Sequence, residues 1–270
     1  MSSVKSRPRI LVRTAILANC KIRLNVLSSP MPWDVWLIFF VLAVVVPWRG
    51  RARLQQLLAK PRVEGRERIS LYASTIAFQW IAVAVAAWRA WAHGFSRFEL
   101  GLTARRILII SVLTILGTLL LTLFQWANLR RIGRTGSPAR SRLQPLAERI
   151  LPQAPREVAI FFALALTAGI CEEFLYRGFA MAAFSRAGLP GWATVAISAA
   201  LFGLAHLYQG RGGFLSTMIL GLLFGGVRLA CYSLIPVMAW HTAVDVVAGI
   251  AGPRFLLQRA VPASEAEVRV

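Results

Sequence analysis

Seven apolar runs organise this chain, near residues 33–48, 71–88, 107–128, 158–176, 192–208, 214–231 and 234–250. Short polar stretches rich in arginine separate them. About 20 apolar residues suffice for a helix to cross the hydrocarbon core of a bilayer, and several runs approach that length. Backbone in lipid must satisfy its own hydrogen bonds, so such runs predict helices. The pattern therefore predicts an all-α fold, a polytopic transmembrane helical bundle of about seven spans. The range is six to eight, because the first run is short and polar residues blur the ends of the later ones. Gly221 and Gly225 form a small-x-x-x-small pair that permits close helix approach. Gly212, Gly213 and Pro236 read as connections or broken helix ends. No long internal repeat is visible, although Phe202-Gly203 and Phe224-Gly225 echo each other.

Composition sharpens the membrane reading. Hydrophobic residues make up 57% of the chain and mean hydropathy is +0.61, against about 45–50% apolar in ordinary soluble domains. The formal net charge of +20 raises the question of nucleic acid, and the placement of the charges answers it. Of 31 basic residues, six lie in 1–30, seven in 49–68, four in 89–106 and seven in 130–156, outside the apolar runs. Basic loops beside membrane helices mark cytoplasmic retention and contact with anionic lipid, and no nucleic-acid-binding module accompanies them. Anionic lipid is thus an expected partner and nucleic acid is not.

Five segments follow: a basic stretch 1–30, leading transmembrane helices over 31–129, a polar basic loop 130–156, the chemistry-bearing helices 157–251 and a polar tail 252–270. Placing the loops 49–68 and 130–156 inside satisfies the positive-inside rule but sends six basic N-terminal residues outside. That conflict vanishes if Met31 is the true start. A secretory signal peptide fits residues 1–30 poorly, since no apolar region with a small-residue cleavage site follows the charges. Cys20, Cys171 and Cys231 have no paired spacing and predict no disulfide framework. Cys171 reads as a small buried residue.

The chemistry lies in the rare charges. Between Val158 and Ile250 the only acidic residues are Glu172, Glu173 and Asp245, accompanied by His206 and His241. An ionisable group at bilayer depth costs roughly 2.5 kcal/mol or more, and such groups usually face a protein-lined cavity and act there. In Cys171-Glu172-Glu173-Phe174-Leu175-Tyr176-Arg177, Glu173 and Arg177 are one helical turn apart and can pair. Glu172 points about 100° away, free to face a cavity as a general base. Phe202-x-x-x-His206 and His241-x-x-x-Asp245 repeat the four-residue spacing on two further runs. In the last of these Asp245 can orient His241 or join it at the substrate. Each motif alone has a bland reading, an ion-paired helix end or a satisfied interior histidine. Together they supply what water activation needs.

The ordered trio Glu-Glu-x-x-x-Arg, Phe-x-x-x-His and His-x-x-x-Asp resembles the CPBP family of type II CAAX prenyl endopeptidases and bacterial Abi proteins. The likeness spans roughly residues 157–250. It implies an intramembrane endopeptidase of a bacterial plasma membrane, acting on a membrane-embedded or membrane-associated protein or peptide. By that resemblance, Glu172 and His206 activate the attacking water and His241 with Asp245 stabilises the oxyanion. Glu173, Arg177 and Phe202 would support them. The prenyl-protease branch commonly carries Asn where this chain has Asp245, which puts that residue's role and a prenylated substrate in question.

Glu172, His206 and His241 are also the ligand types of a catalytic zinc, so the same trio offers a site for a divalent metal such as zinc. No His-Glu-x-x-His motif is present, and a metal-free glutamate mechanism is equally compatible with these residues. Two other classes compete with a protease. A non-proteolytic bacteriocin-immunity or scaffold protein could retain the motifs for structure, although intact motifs argue against it. A proton-coupled transporter would use the buried Glu and His as a relay, yet the leading half offers no matching charges.

Overall fold

The structure, a computed structural model, describes residues 31–134 and 137–257. The basic segment 1–30 with Cys20, the suggested start at Met31 as a boundary of that segment, and the tail beyond 257 therefore lie outside what can be compared with it. The protein is a helical membrane bundle. Among the described residues, six helices are long and apolar enough to cross a membrane: α1 (Trp33–Leu58), α2 (Gly65–Ala92), α3 (Ile107–Ile132), α5 (Pro155–Arg186), the segment Leu207–Cys231 and α8 (Ile235–Leu256). A seventh, α6 (Gly191–Ala205), is apolar but shorter. Within Leu207–Cys231, a 3₁₀ turn (Leu207–Gln209) leads into α7 (Gly210–Cys231). Among the described residues there is no strand, only an isolated antiparallel bridge between Leu102 and Ser233.

Local chemistry sets the boundaries. Glu64 and Glu67 form a capping box that starts α2, so this helix begins six residues before the apolar run that predicted it. Pro155 occupies the first turn of α5 and Pro236 that of α8, where a missing N–H costs nothing. Gly210, at φ 83°, makes the break before α7. Gly212 and Gly213 lie inside the first turn of α7 rather than at a connection. The expected polar loop 130–156 contains an amphipathic helix, α4 (Pro138–Ile150). The helix α8 also runs past Gly252-Pro253 to Leu256. Pro253 deletes a single bond in the last turn, and Ala251 and Leu256 are held by packing on Leu129, Ala147 and Leu151.

Two helices carry π turns. In α1 the turn Val41–Val45 precedes Pro47, whose ring would collide with the carbonyl four residues back in a regular helix. In α5 the turn Phe174–Ala180 directly follows the glutamate pair. The Tyr176 carbonyl within it accepts from the buried Ser198 hydroxyl of α6 at 2.7 Å. Phe174, Phe179, Phe184, Phe202, Phe224 and Trp240 gather around this stretch as the main core, making α5 the central helix.

The remaining helices dress α5. α2 and α8 pack on it, α3 packs on α8, and α6 pairs with α7. α3 presents Ile107, Leu108, Ile115, Leu120 and Phe124 outward, an apolar surface suited to lipid tails. Gly221 faces Ala199 at 3.0 Å from the position a Cβ would occupy, and Gly225 faces Val195 at the same distance. The small-residue pair thus sets the close approach of α7 to α6, as its spacing predicts.

Polar latches close both ends of the bundle. At one end the His93 Nε2 donates to the Asp34 carboxylate at 2.9 Å, Arg89 pairs with the same carboxylate, and Arg186 binds Glu99 at 2.7 Å. At the other, Arg68 binds Glu157 at 2.7 Å, Tyr72 donates to the Ile150 carbonyl, and Arg149 donates to the Leu57 carbonyl. Most loop arginines lie at this second end, as the helix order requires.

Candidate active site

The site is assembled where α5, α6 and α8 cross. Gly169, one turn before Glu172 and Glu173, allows the crossing. A Cβ there would sit 2.1 Å from Thr242 Oγ1 and 2.9 Å from the Met238 carbonyl oxygen. Close backbone approach of α5 to α8 places the glutamate pair beside His241.

Glu173 and Arg177 are both 0% exposed and pair at 2.9 Å, as their spacing predicts. The same Glu173 oxygen, Oε1, also accepts from His241 Nδ1 at 2.8 Å. One carboxylate therefore neutralises a buried guanidinium and fixes the ring plane of the imidazole. Orienting His241 falls to Glu173 of another helix rather than to Asp245. The Arg177 guanidinium lies over the Phe202 ring at 4.2 Å and the Phe224 ring at 5.7 Å, so aromatic faces serve it where hydrogen-bond acceptors do not. The sequence echo of Phe202-Gly203 and Phe224-Gly225 thus becomes a pair of phenyl rings around one cation.

With Nδ1 engaged, His241 turns Nε2 toward Glu172 Oε2 at 3.9 Å and Asp245 Oδ2 at 3.6 Å. His206 stands apart. Its Nδ1 donates to the Phe202 carbonyl at 2.9 Å, leaving Nε2 with a free lone pair. Both imidazoles pack on the Phe202 ring, whose centre is 4.6 Å from that of His206 and 5.7 Å from that of His241.

Glu172, His206, His241 and Asp245 all line one cavity of about 820 Å³. Its walls include Val41, Leu42 and Trp48 of α1 and Phe78 of α2, and it extends to Arg49 and Arg53 at the basic end of the bundle. Glu173 and Arg177 are not among its lining residues; they lie behind it.

Sequence reasoning missed Gln79 of α2 and Tyr208, which both line the cavity. Gln79 Nε2 donates to Glu172 Oε1 at 2.6 Å, so Glu172 is not the partner-free carboxylate that its helix angle suggested. A signal existed for Gln79. The buried positions of α2 include Tyr72, Gln79 and Ala86, a seven-residue stripe in which only an apolar residue would be unremarkable. Tyr208 follows His206 in the 3₁₀ turn and packs beside Gly50 of α1; nothing in its spacing points there.

A zinc would need at least three converging ligands. Among the described residues no three His, Cys, Asp or Glu side chains are gathered closely enough to hold a metal ion. Glu172, His206 and His241 as arranged share a cavity without forming a ligand cluster. Cys171 is buried, and neither it nor Cys231 is in a disulfide.

Comparison with known proteins finds a likeness in the part of the chain that carries this geometry. Residues 154–247 match the family described as type II CAAX prenyl endopeptidase Rce1-like. No curated protein and no solved structure matches the chain. The matched region runs from the start of α5 into α8 and holds all seven site residues read from the sequence. This part of the chain is thus similar to an Rce1-like domain, and it lies in a bundle whose helices are long and apolar enough to cross a membrane.

Proposed function

We propose that this protein is an intramembrane endopeptidase of the glutamate type. It hydrolyses a peptide bond of a membrane-associated protein or peptide, in a bacterial plasma membrane whose anionic lipids meet the basic end of the bundle. The observation that carries this reading is Glu172 Oε2. It is buried, has no hydrogen-bond partner among the described residues, and is 3.9 Å from His241 Nε2. An unpartnered carboxylate oxygen on a cavity-lining residue is the group that a water entering the site would pair with.

The reaction needs a base, an oriented water and a donor for the developing oxyanion. Glu172 Oε2 takes one proton from the water, and the His206 Nε2 lone pair accepts its other hydrogen. The water oxygen attacks the peptide carbonyl carbon, and His241 in its imidazolium form, with Nδ1–H held by Glu173, hydrogen-bonds through Nε2–H to the oxyanion without giving up the proton. Asp245, 3.6 Å from that nitrogen, holds the proton in place between turnovers. Collapse of the tetrahedral intermediate breaks the C–N bond, and Glu172 returns its proton to the leaving amine. The apolar walls fit a substrate arriving from the membrane, while Arg49 and Arg53 give the cavity a basic mouth.

Replacing Glu172 with Gln keeps the shape and removes the base. With purified protein and a peptide that the wild type cleaves, drawn from membrane proteins that accumulate when the gene is deleted, kcat should fall by about 10²–10⁴-fold. Wild-type rates in Glu172→Gln would overturn the reading. Exhaustive chelation before the assay tests the metal alternative in the same preparation. Retained activity is expected, and loss restored by added zinc would make Glu172, His206 and His241 ligands instead.

A further inference from the structure

The matched domain begins at residue 154, yet one contact to the proposed base comes from far outside it. Gln79 belongs to α2, in the leading half of the chain. Its side chain is buried, at 8% exposure, on the stripe that α2 turns toward α5. A primary amide in that position is costly unless it is hydrogen-bonded, and the partner it finds is Glu172 Oε1 at 2.6 Å. A carboxylate on a flexible two-carbon stem has several rotamers. Fixing one oxygen fixes where the other points, and here the other is Oε2, buried 3.9 Å from His241 Nε2.

We infer that Gln79 is a positioning residue of the active site, holding the Glu172 carboxylate in the one rotamer from which it acts as base. The inference rests on the proposed role of Glu172 as base. It also gives the leading helices a part in the chemistry: α2 completes a site that the Rce1-like domain does not complete by itself. Gln79 touches neither water nor substrate in this role, so removing its donor should slow the chemical step and leave binding alone.

A merely structural Gln79, gluing α2 to α5, would behave differently. Interhelical side-chain hydrogen bonds are a recognised glue between membrane helices, and losing one would lower stability with no particular effect on kcat. The two roles separate in the steady-state constants.

The experiment uses the full chain in nanodiscs with the cleaved peptide identified above. Gln79→Met preserves length and apolar packing but has no donor. It should lower kcat by about tenfold or more, in line with the loss of a hydrogen bond to a charged group, with KM within about twofold of wild type. Gln79→His, whose ring Nε2 reaches about as far from Cβ as the amide nitrogen does, should recover much of that kcat. The proposal is overturned if Gln79→Met cleaves at the wild-type kcat. It is equally overturned if the Met and His variants lose kcat alike, in step with their melting temperatures. Should Gln79→Met fail to fold, the kcat-against-KM split in Gln79→His decides: a raised KM with unchanged kcat sinks it. An inactive Glu172→Gln beside an unaffected Gln79→Met would remove only this inference, whereas an active Glu172→Gln would remove the glutamate mechanism itself.

Discussion

Glu173 carries more than its sequence neighbour suggests. Its Oε1 accepts from both Arg177 and His241, at 2.9 and 2.8 Å, at a position with no solvent exposure. Breaking a buried ion pair from one side leaves the other charge uncompensated and typically costs about 3–5 kcal/mol. Glu173→Gln should therefore lower thermal stability by that order and reduce kcat as well, because the amide no longer holds the His241 ring. Glu172→Gln should do the opposite: it should abolish turnover while its melting temperature in detergent stays near wild type. Thermal unfolding measured alongside cleavage for the two adjacent variants checks this contrast. Equal melting temperatures would show that Glu173 is not the structural member of the pair. The spacing of Glu173 and Arg177 made their pairing legible in the sequence. The bond to His241 was not legible, because nothing in a sequence says which residue of a distant helix lies opposite.

Among the elements, the meeting of α5 with α8 decides whether a site exists. Gly169 is the point of contact, and a Cβ there would overlap Thr242 Oγ1 and crowd the Met238 carbonyl. Backbone cannot be displaced by a rotamer change, so Gly169→Ala must push the helices apart. Overpacking of this kind costs about 1–3 kcal/mol, and the shift would lengthen the Glu173–His241 bond on which the imidazole depends. Stability and kcat should both fall. Gly226→Ala on α7 is the matched control, since nothing lies within 4 Å of its added methyl; it should leave both unchanged. Comparable losses in the two variants would mean that α5 and α8 do not meet at Gly169. A similar close approach sets α3 on α8, where Gly117 faces the Trp240 indole and Trp240 Nε1 donates to the Leu113 carbonyl at 3.0 Å.

The whole molecule is a bundle tied at both ends around a cavity lined by ionisable groups. At the end away from most loop arginines, Glu99 lies outside the spanning helices between Arg186 and Ser96. Burial alone would raise its carboxyl, but hydrogen bonds from Arg186 and Ser96 outweigh that and hold it at about 2 rather than near 4.5. A carboxylate depressed in the folded state contributes stability above its unfolded value, and that contribution is lost as pH falls through the folded value. The melting temperature of the wild type should therefore decline between about pH 4.5 and pH 2. Glu99→Gln should start lower at neutral pH and show a shallower decline across that window. Parallel curves for the two proteins would exclude Glu99 as the source.

The sequence by itself determined the class of fold and the identity of most of the chemistry. Apolar runs of spanning length leave only helices, because lipid offers the backbone no other partner. Ionisable side chains cost too much inside such runs to be incidental, which singled out Glu172, Glu173, His206, His241 and Asp245. Helical periodicity then paired residues one turn apart, including Glu173 with Arg177. The tertiary structure decided everything that joins one helix to another. It gave the orientation of His241 to Glu173 instead of Asp245, packed Phe202 against both imidazoles, and brought Gln79 from the leading half onto Glu172. It also folded α4 out of a segment that reads as a loop, since short amphipathic helices owe their stability to what they pack against. Periodicity along a chain fixes which residues share a face; only the packing of faces decides which of them meet.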